Sequence, residues 1–256
     1  MITSNDNHKL KLVRKLADRK HREREGLFVT EGEDLLRAGL ESGREPAFVL
    51  VAAGSGLEGE EVEPELLAAS STLGSGSRAI AAWPQAWASA AGPVCVYLHG
   101  VGDPGNVGAV IRTAHALVDG GVALGPGCAD PHAPKAVRAT MGSIFGVALA
   151  RAEVGETPEP RAALVAHGGR PPGPAEPPVT LCLGAEREGL SPEVLDACEE
   201  RWTIPLRPGG AESLNVAAAA AIALQRISSA ALEGERGAFP LTLGGNATQK
   251  PPGPDA

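Results

Sequence analysis

Aromatic residues are scarce in this chain: 3% of its 256 residues are Phe, Trp or Tyr, with a single Tyr and only two Met. Its cores must therefore be built from aliphatic side chains, and any cluster of rings would be a local exception. Cysteine is sparse as well. Cys95, Cys128, Cys182 and Cys198 make no CxxC pair and no metal-like spacing with the histidines, so reduced, mostly buried thiols are expected and no metal site is. No run of about 18 apolar residues could span a bilayer. The longest candidate, Leu214 to Leu224, is alanine-rich and followed by Gln225-Arg226, which reads as a buried helix and not as a membrane segment. The basic N-terminus lacks an apolar stretch of signal-peptide type, so cytoplasmic residence is expected and Asn246-Ala-Thr248 is a chance match to the glycosylation pattern.

Positive charge is also short overall, the net being −8, which at first sight argues against nucleic acid. The distribution argues otherwise. Residues 1–25 carry eight Lys or Arg against four acids, a local balance of +4, while the remainder carries −12. A basic segment on an acidic body localises phosphate contacts to one surface and limits indiscriminate binding. Lys11, Arg14, Lys15, Arg19 and Lys20 are the candidate contacts; a solvated basic helix is the plainer alternative.

The elements alternate. Residues 3–25 read as one helix with Leu10, Val13, Leu16 and Ala17 at helical spacing, stopped by Gly26. Strand Leu27 to Val29, helix Glu33 to Gly39, strand Ala47 to Ala52, a helical Leu66-Leu67 and Ala79-Ile80-Ala81 complete an α/β unit of residues 1–90. Ala90-Ala-Gly-Pro93 is the expected linker. Beyond it, strands at Val94 to His99, Val122 to Leu124, Phe145 to Ala150, Val179 to Leu183 and Trp202 to Ile204 are separated by helices at Val107 to Leu117, Pro134 to Thr140, Arg161 to Ala166, Pro192 to Cys198 and Ser213 to Ala231. That order implies a parallel sheet with helices on both faces over residues 91–233. Residues 234–256 are rich in Gly, Pro and polar side chains and are expected to be a disordered tail.

Three segments carry chemistry: Asn106-Val-Gly-Ala-Val-Ile-Arg112-Thr-Ala114, Leu183-Gly-Ala-Glu-Arg-Glu-Gly-Leu-Ser191, and Ile204-Pro-Leu with Glu212-Ser-Leu-Asn-Val216. Each puts Gly, Pro or a small polar residue where a strand gives way to a turn or helix, the usual place for small-molecule binding in α/β proteins. Asn106 reads as a helix cap with Arg112 on the second turn, Ser191 as a cap of the next helix, and Ser213 as a cap of the last. Pro205 cannot donate to a sheet ladder and frees backbone carbonyls for a ligand. Gly100-Val-Gly102-Asp-Pro-Gly105 also fits a dinucleotide fingerprint. However, Pro104-Gly105-Asn106 reads as a turn that starts the helix after the glycines, and Asp119 comes too early to hold a ribose, so a dehydrogenase is the weaker reading.

In order and spacing the three segments resemble the motifs of the SpoU-type (TrmH-type) RNA ribose 2′-O-methyltransferases. The opening is similar to the substrate-binding domain often fused to them, through Ile2-Thr-Ser4, Lys9, Arg14-Lys15-Leu16, Arg19-Lys20 and Phe28-Val-Thr-Glu-Gly32; Asn7-His8 replaces the usual Asn-Pro. The resemblance implies a C-terminal trefoil-knotted, parallel-sheet methyltransferase domain, a smaller N-terminal α/β RNA-binding domain, S-adenosyl-L-methionine as methyl donor, and a homodimer whose sites draw on both subunits. It implies large-subunit ribosomal RNA as substrate, with transfer RNA as the alternative. It also assigns Asn106, Arg112, Glu186, Ser213 and Asn215 to the reaction and Leu183, Gly184, Gly189, Ile204, Leu206, Ser213 and Leu214 to the donor. Lys135 and Arg138 are further phosphate candidates, though ordinary helix-surface charge accounts for them as well. Ala185 stands where the family usually has Asn before the glutamate. The family is often described with its arginine as general base; a guanidinium stays protonated, so orientation of the hydroxyl and stabilisation of a developing alkoxide is the chemistry expected of Arg112, with water or an RNA phosphate taking the proton. A non-catalytic RNA-binding or ribosome-assembly factor is the remaining rival.

Overall fold

The computed structural model describes residues 1–73 and 76–233; the expected tail, 234–256, lies outside them. Two sheets organise the chain. The N-terminal one has four strands, β1 (Leu27–Glu31), β2 (Phe48–Ala52), β3 (Glu60–Val62) and β4 (Ala79–Pro84), in the order β1-β4-β2-β3. β4 runs antiparallel to both neighbours and β2 parallel to β3. Helices α1 (His8–Lys15), α2 (Arg19–Glu25), α3 (Glu33–Glu41) and α4 (Pro64–Ser70) flank it. The single basic helix expected over residues 3–25 is instead two. Asn7 caps α1 through its side chain, and Asp18 accepts from the Lys20 N–H and opens α2, so the local capping energy of two short polar residues outweighs continuity. Gly26 ends α2 in the left-handed region at φ 64°, as the sequence indicates.

The C-terminal sheet is wholly parallel and six-stranded: β5 (Val94–Leu98), β6 (Gly120–Leu124), β7 (Ala148–Arg151), β8 (Arg161–Leu164), β9 (Val179–Leu183) and β10 (Glu200–Trp202), in the order β10-β8-β9-β5-β6-β7. Alternation along β5 divides its faces. Val94, Val96 and Leu98 join the core beneath α5 (Pro104–Leu117) and α8 (Val216–Glu233), whereas Cys95 and Tyr97 face a smaller cluster with Val194 of α7 (Pro192–Asp196). Helix α6 (Pro134–Thr140) lies so close on α5 that a Cβ at Gly108 would stand 2.3 Å from the Ala136 carbonyl oxygen.

Four expectations are corrected here. Residues 161–166 are not a helix: Arg161–Leu164 is β8, clamped between β9 and β10, and this burial overrides the helical propensity of Ala and Leu. Helix α5 starts at Pro104, within the glycine pattern, with Asp103 and not Asn106 as its cap. α8 starts at Val216, leaving Ser213 outside any helix and Asn215 to accept the Ala217 N–H. Ser143–Phe145 is a 3-10 turn, so β7 begins only at Ala148.

The two units share one core. Phe28, Leu35, Leu36 and Trp83 of the first pack with Ile144 and Phe145 of the second, with Trp83 edge-on to Phe145 at 4.8 Å between ring centres. Beside them the buried Arg22 donates from Nε and Nη2 to Asp130 Oδ2 at 2.9 and 2.7 Å, and from Nη1 to the carbonyls of Leu16 and Ala17 at 2.8 and 2.7 Å. Burial alone would push the Asp130 carboxyl up; the contacts from His132 and Arg22 outweigh it, and the group titrates well below the usual carboxylate range.

Candidate active site

The carboxyl ends of parallel strands are where an open α/β sheet binds ligands, because the following loops diverge there. A cavity of about 460 Å³ lies at the ends of β8 and β9, within the range of small-molecule sites. Its wall is made by two loops. The first, between β9 and α7, folds back on itself, with Ala185 and Gly189 exchanging backbone hydrogen bonds of 3.1 and 3.0 Å. Gly184 lies beneath this bridge, where a Cβ would come within 2.2 Å of the Gly189 carbonyl carbon. Gly189 adopts φ 70°, the left-handed region that glycine enters without strain. The second loop joins β10 to α8.

All seven residues assigned to the donor line this cavity: Leu183, Gly184, Gly189, Ile204, Leu206, Ser213 and Leu214. Apolar surface comes from Leu183, Ile204, Leu206, Leu214 and Val216, and carboxylates from Glu186, Glu188 and Glu212. Arg187 offsets one of these three acids, so the lining stays net negative and suits a ligand with an apolar portion and a positive centre. Sequence reasoning missed His167 and the end of β8, because a helix was expected at 161–166, and it gave Glu212 no role although the residue opens the third segment.

Three of the five residues assigned to the reaction converge from distant parts of the chain. Glu186 Oε1 accepts from Asn106 Nδ2 at 2.7 Å and from Asn215 Nδ2 at 2.9 Å, and Asn215 Nδ2 also donates to Asn106 Oδ1 at 3.0 Å. Asn106 reaches this position from the first turn of α5, where its N–H donates to the capping Asp103 Oδ1 at 3.0 Å. Lys135 Nζ, 2.5 Å from Asp103 Oδ2, and the Asn106 N–H hold the Asp103 carboxyl below its ordinary range. Asp103-Pro104, a capping acid followed by proline at the first helical position, is the sequence signal that could have located this helix start. Ser213 lines the cavity but makes no hydrogen bond among the described residues.

Arg112 does not join the trio. It lies six residues beyond Asn106, on the third turn of α5; at about 100° per residue it points elsewhere, and it is exposed with no hydrogen bond or ion pair among the described residues. The basic candidates divide similarly. Lys11 pairs with Asp6, Arg19 with Glu23 and Lys135 with Asp103, while Arg14 donates to Asn5 and Leu10 and Arg138 to Thr72. Lys15 and Lys20 are exposed without such partners among the described residues. No described helix is long and apolar enough to cross a membrane.

Comparison with known proteins agrees with this geometry. Residues 93–225 match the model of the SpoU rRNA Methylase family, and residues 7–79 that of an MRM3-like substrate binding domain. The chain is 30% identical over 243 residues to the 23S rRNA (guanosine(2553)-2′-O)-methyltransferase of Bacillus subtilis, covering 86% of this chain and 96% of that one. It is 36% identical over 140 residues to an uncharacterized tRNA/rRNA methyltransferase of Mycobacterium tuberculosis; this match spans 49% of the chain and only about half, 48%, of that relative. Among solved structures, the AdoMet-bound rRNA methyltransferase of Sinorhizobium meliloti superposes with a TM-score of 0.77 at 27% identity, over 87% of this chain and 95% of that one. The dinucleotide reading is set aside, since the glycines of residues 100–105 lead into a helix of a different sheet order and family. With its family model covering more than half its length and its site motifs gathered at the carboxyl edge of one parallel sheet, the chain belongs to the SpoU rRNA methylase family.

Proposed function

We propose that the protein transfers a methyl group from S-adenosyl-L-methionine to a ribose 2′-hydroxyl of large-subunit ribosomal RNA. The observation that carries this is the meeting of Asn106, Glu186 and Asn215 at the rim of a cavity lined by every residue assigned to the donor. The residues present fit that donor: aliphatic walls for an adenine and carboxylates near a cationic sulfur. When bound, the donor supplies an electrophilic methyl carbon for in-line displacement. The chain's own part is alignment. Gly184 and Gly189 let the loop backbone close on the ligand, and Glu186 holds the two asparagine amides in fixed orientation. Ser213 offers a hydroxyl at the cavity wall.

Arg112 acts on the ribose. It is too far round α5 to serve its own cavity, which supports a homodimer in which each Arg112 works at the partner's site, orienting the 2′-hydroxyl and stabilising negative charge as its proton leaves to water or phosphate. The N-terminal unit grips the RNA, with Lys15 and Lys20 among its cations that have no partner among the described residues. The test is Arg112→Ala. Methyl transfer should fall roughly 10²- to 10³-fold, while calorimetry with S-adenosylhomocysteine shows donor affinity unchanged. Near-normal turnover would remove Arg112 from the reaction, and binding of NAD in place of S-adenosylhomocysteine would overturn the activity itself.

A further inference from the structure

A second cavity, of about 560 Å³, opens at the ends of β6 and β7, on the same carboxyl edge as the donor cavity. Two to four strand spacings of ~4.8 Å separate β8 and β9 from these strands, so the cavities lie roughly 10–20 Å apart. Its outer wall is a stack. Arg151, the last residue of β7, lays its guanidinium over the Trp87 ring with the central carbon 4.3 Å from the ring centre, and Trp87 is backed edge-on by His132 at 5.1 Å. The Ala88 N–H donates to the Leu149 carbonyl at 2.8 Å, which fixes the tryptophan segment along β7. Glu23 Oε1 accepts from Arg151 Nη2 at 3.4 Å and from Arg19 Nε at 2.9 Å, so one carboxylate from α2 holds two arginines at the cavity. The Arg151 side chain is nevertheless half exposed.

We propose that this cavity is a second RNA subsite, in which a nucleobase flanking the methylated nucleotide stacks on the open face of Arg151. The inference rests on the RNA-methyltransferase reading above. A base fits the lining better than a phosphate does. Arg19 and Arg151 share the single carboxylate of Glu23, and Glu153 and Glu156 line the same space, so two cations face three carboxylates and no net positive potential draws an anion there. A planar cation held over tryptophan at 4.3 Å and tied to Glu23 presents a platform, and stacking on such a platform tolerates any base. The carboxylates and loop carbonyls around it supply acceptors for a base edge.

The test measures binding of an unmodified large-subunit ribosomal RNA transcript across a salt series, with S-adenosylhomocysteine calorimetry on each variant as the check of fold. Arg151→Lys keeps the charge and loses the plane. It should weaken RNA binding roughly tenfold, the effect of losing one stacked base. The slope of log K against log salt should not change, because a stacked base releases no counterion. Arg151→Ala should behave the same way. Wild-type binding by Arg151→Lys would overturn the subsite, as would a slope flattened by about 0.7 in Arg151→Ala alone, the mark of a phosphate contact. If the unaltered protein bound S-adenosylhomocysteine but no RNA, the RNA reading would fall and this inference with it.

Discussion

Replacing Arg22 with methionine should destabilise the protein more than any substitution at the active site. Methionine keeps the apolar stem but removes every donor, so Asp130 Oδ2 loses two hydrogen bonds and the Leu16 and Ala17 carbonyls lose one each. The side chains of Arg22 and Asp130 are 3% and 5% exposed, so water cannot replace those partners without opening the junction. Removing one member of such a buried pair typically costs about 3–5 kcal/mol. For a chain of this size each kcal/mol shifts the midpoint by roughly 2–4 °C, which gives a Tm lower by roughly 6–20 °C in scanning calorimetry at pH 7. The sign with pH follows from the depressed Asp130 carboxyl. Its stabilisation is fully present above the unfolded carboxylate pKa of about 3.9 and is lost as pH falls toward the folded value, so the gap between wild type and variant should narrow in acid. Arg22→Met combined with Asp130→Leu should recover most of the loss, since an apolar pair leaves no buried charge. A single variant melting within about 2 °C of wild type, or a double variant no better than the single, would refute the reasoning.

At the site, Gly184→Ala should abolish S-adenosylhomocysteine binding, because all three atoms nearest the new Cβ, at 2.2–2.4 Å, are backbone of Gly189 and Leu190 that cannot rotate away; measurable affinity in calorimetry would mean the loop is not the donor wall. Glu186→Ala takes the shared acceptor from Asn106 and Asn215, so single-turnover methylation should drop about 10²-fold with little change in Tm for so exposed a cluster. In RNA binding, Lys15→Ala with Lys20→Ala should reduce the magnitude of the salt slope by roughly one to two units, and an unchanged slope would leave α2 and α1 as solvated helices.

The segments that line the cavity were legible because their signals are local. Gly184 and Gly189 mark a backbone that must come close to itself, and Asn106, Glu186 and Asn215 keep their identity whatever lies between them. What was not legible depended on neighbours. Residues 161–164 carry the composition of a helix and become a strand only because β9 and β10 flank them. Helix α5 begins three residues earlier than the expected Val107, which moves Arg112 from the second turn to the third. Arg22 reads as one more basic side chain of the N-terminal segment, and nothing near it in sequence announces Asp130. The meeting of Phe28, Trp83, Trp87 and Phe145 at one junction, in a chain with so few rings, is likewise a property of the assembled molecule.

That junction makes the protein a caliper. With Trp83 against Phe145, no room for a Cβ at Gly39 and a buried ion pair beside them, the packed junction resists turning of one unit against the other. The span from the free lysines of α1 and α2 to the cavity is therefore a fixed length. On the proposed function, an RNA would have to bring its grip and its target ribose to that separation by its own folding, and a short oligonucleotide containing the right nucleotide, however well its sequence matches, would touch only one jaw at a time.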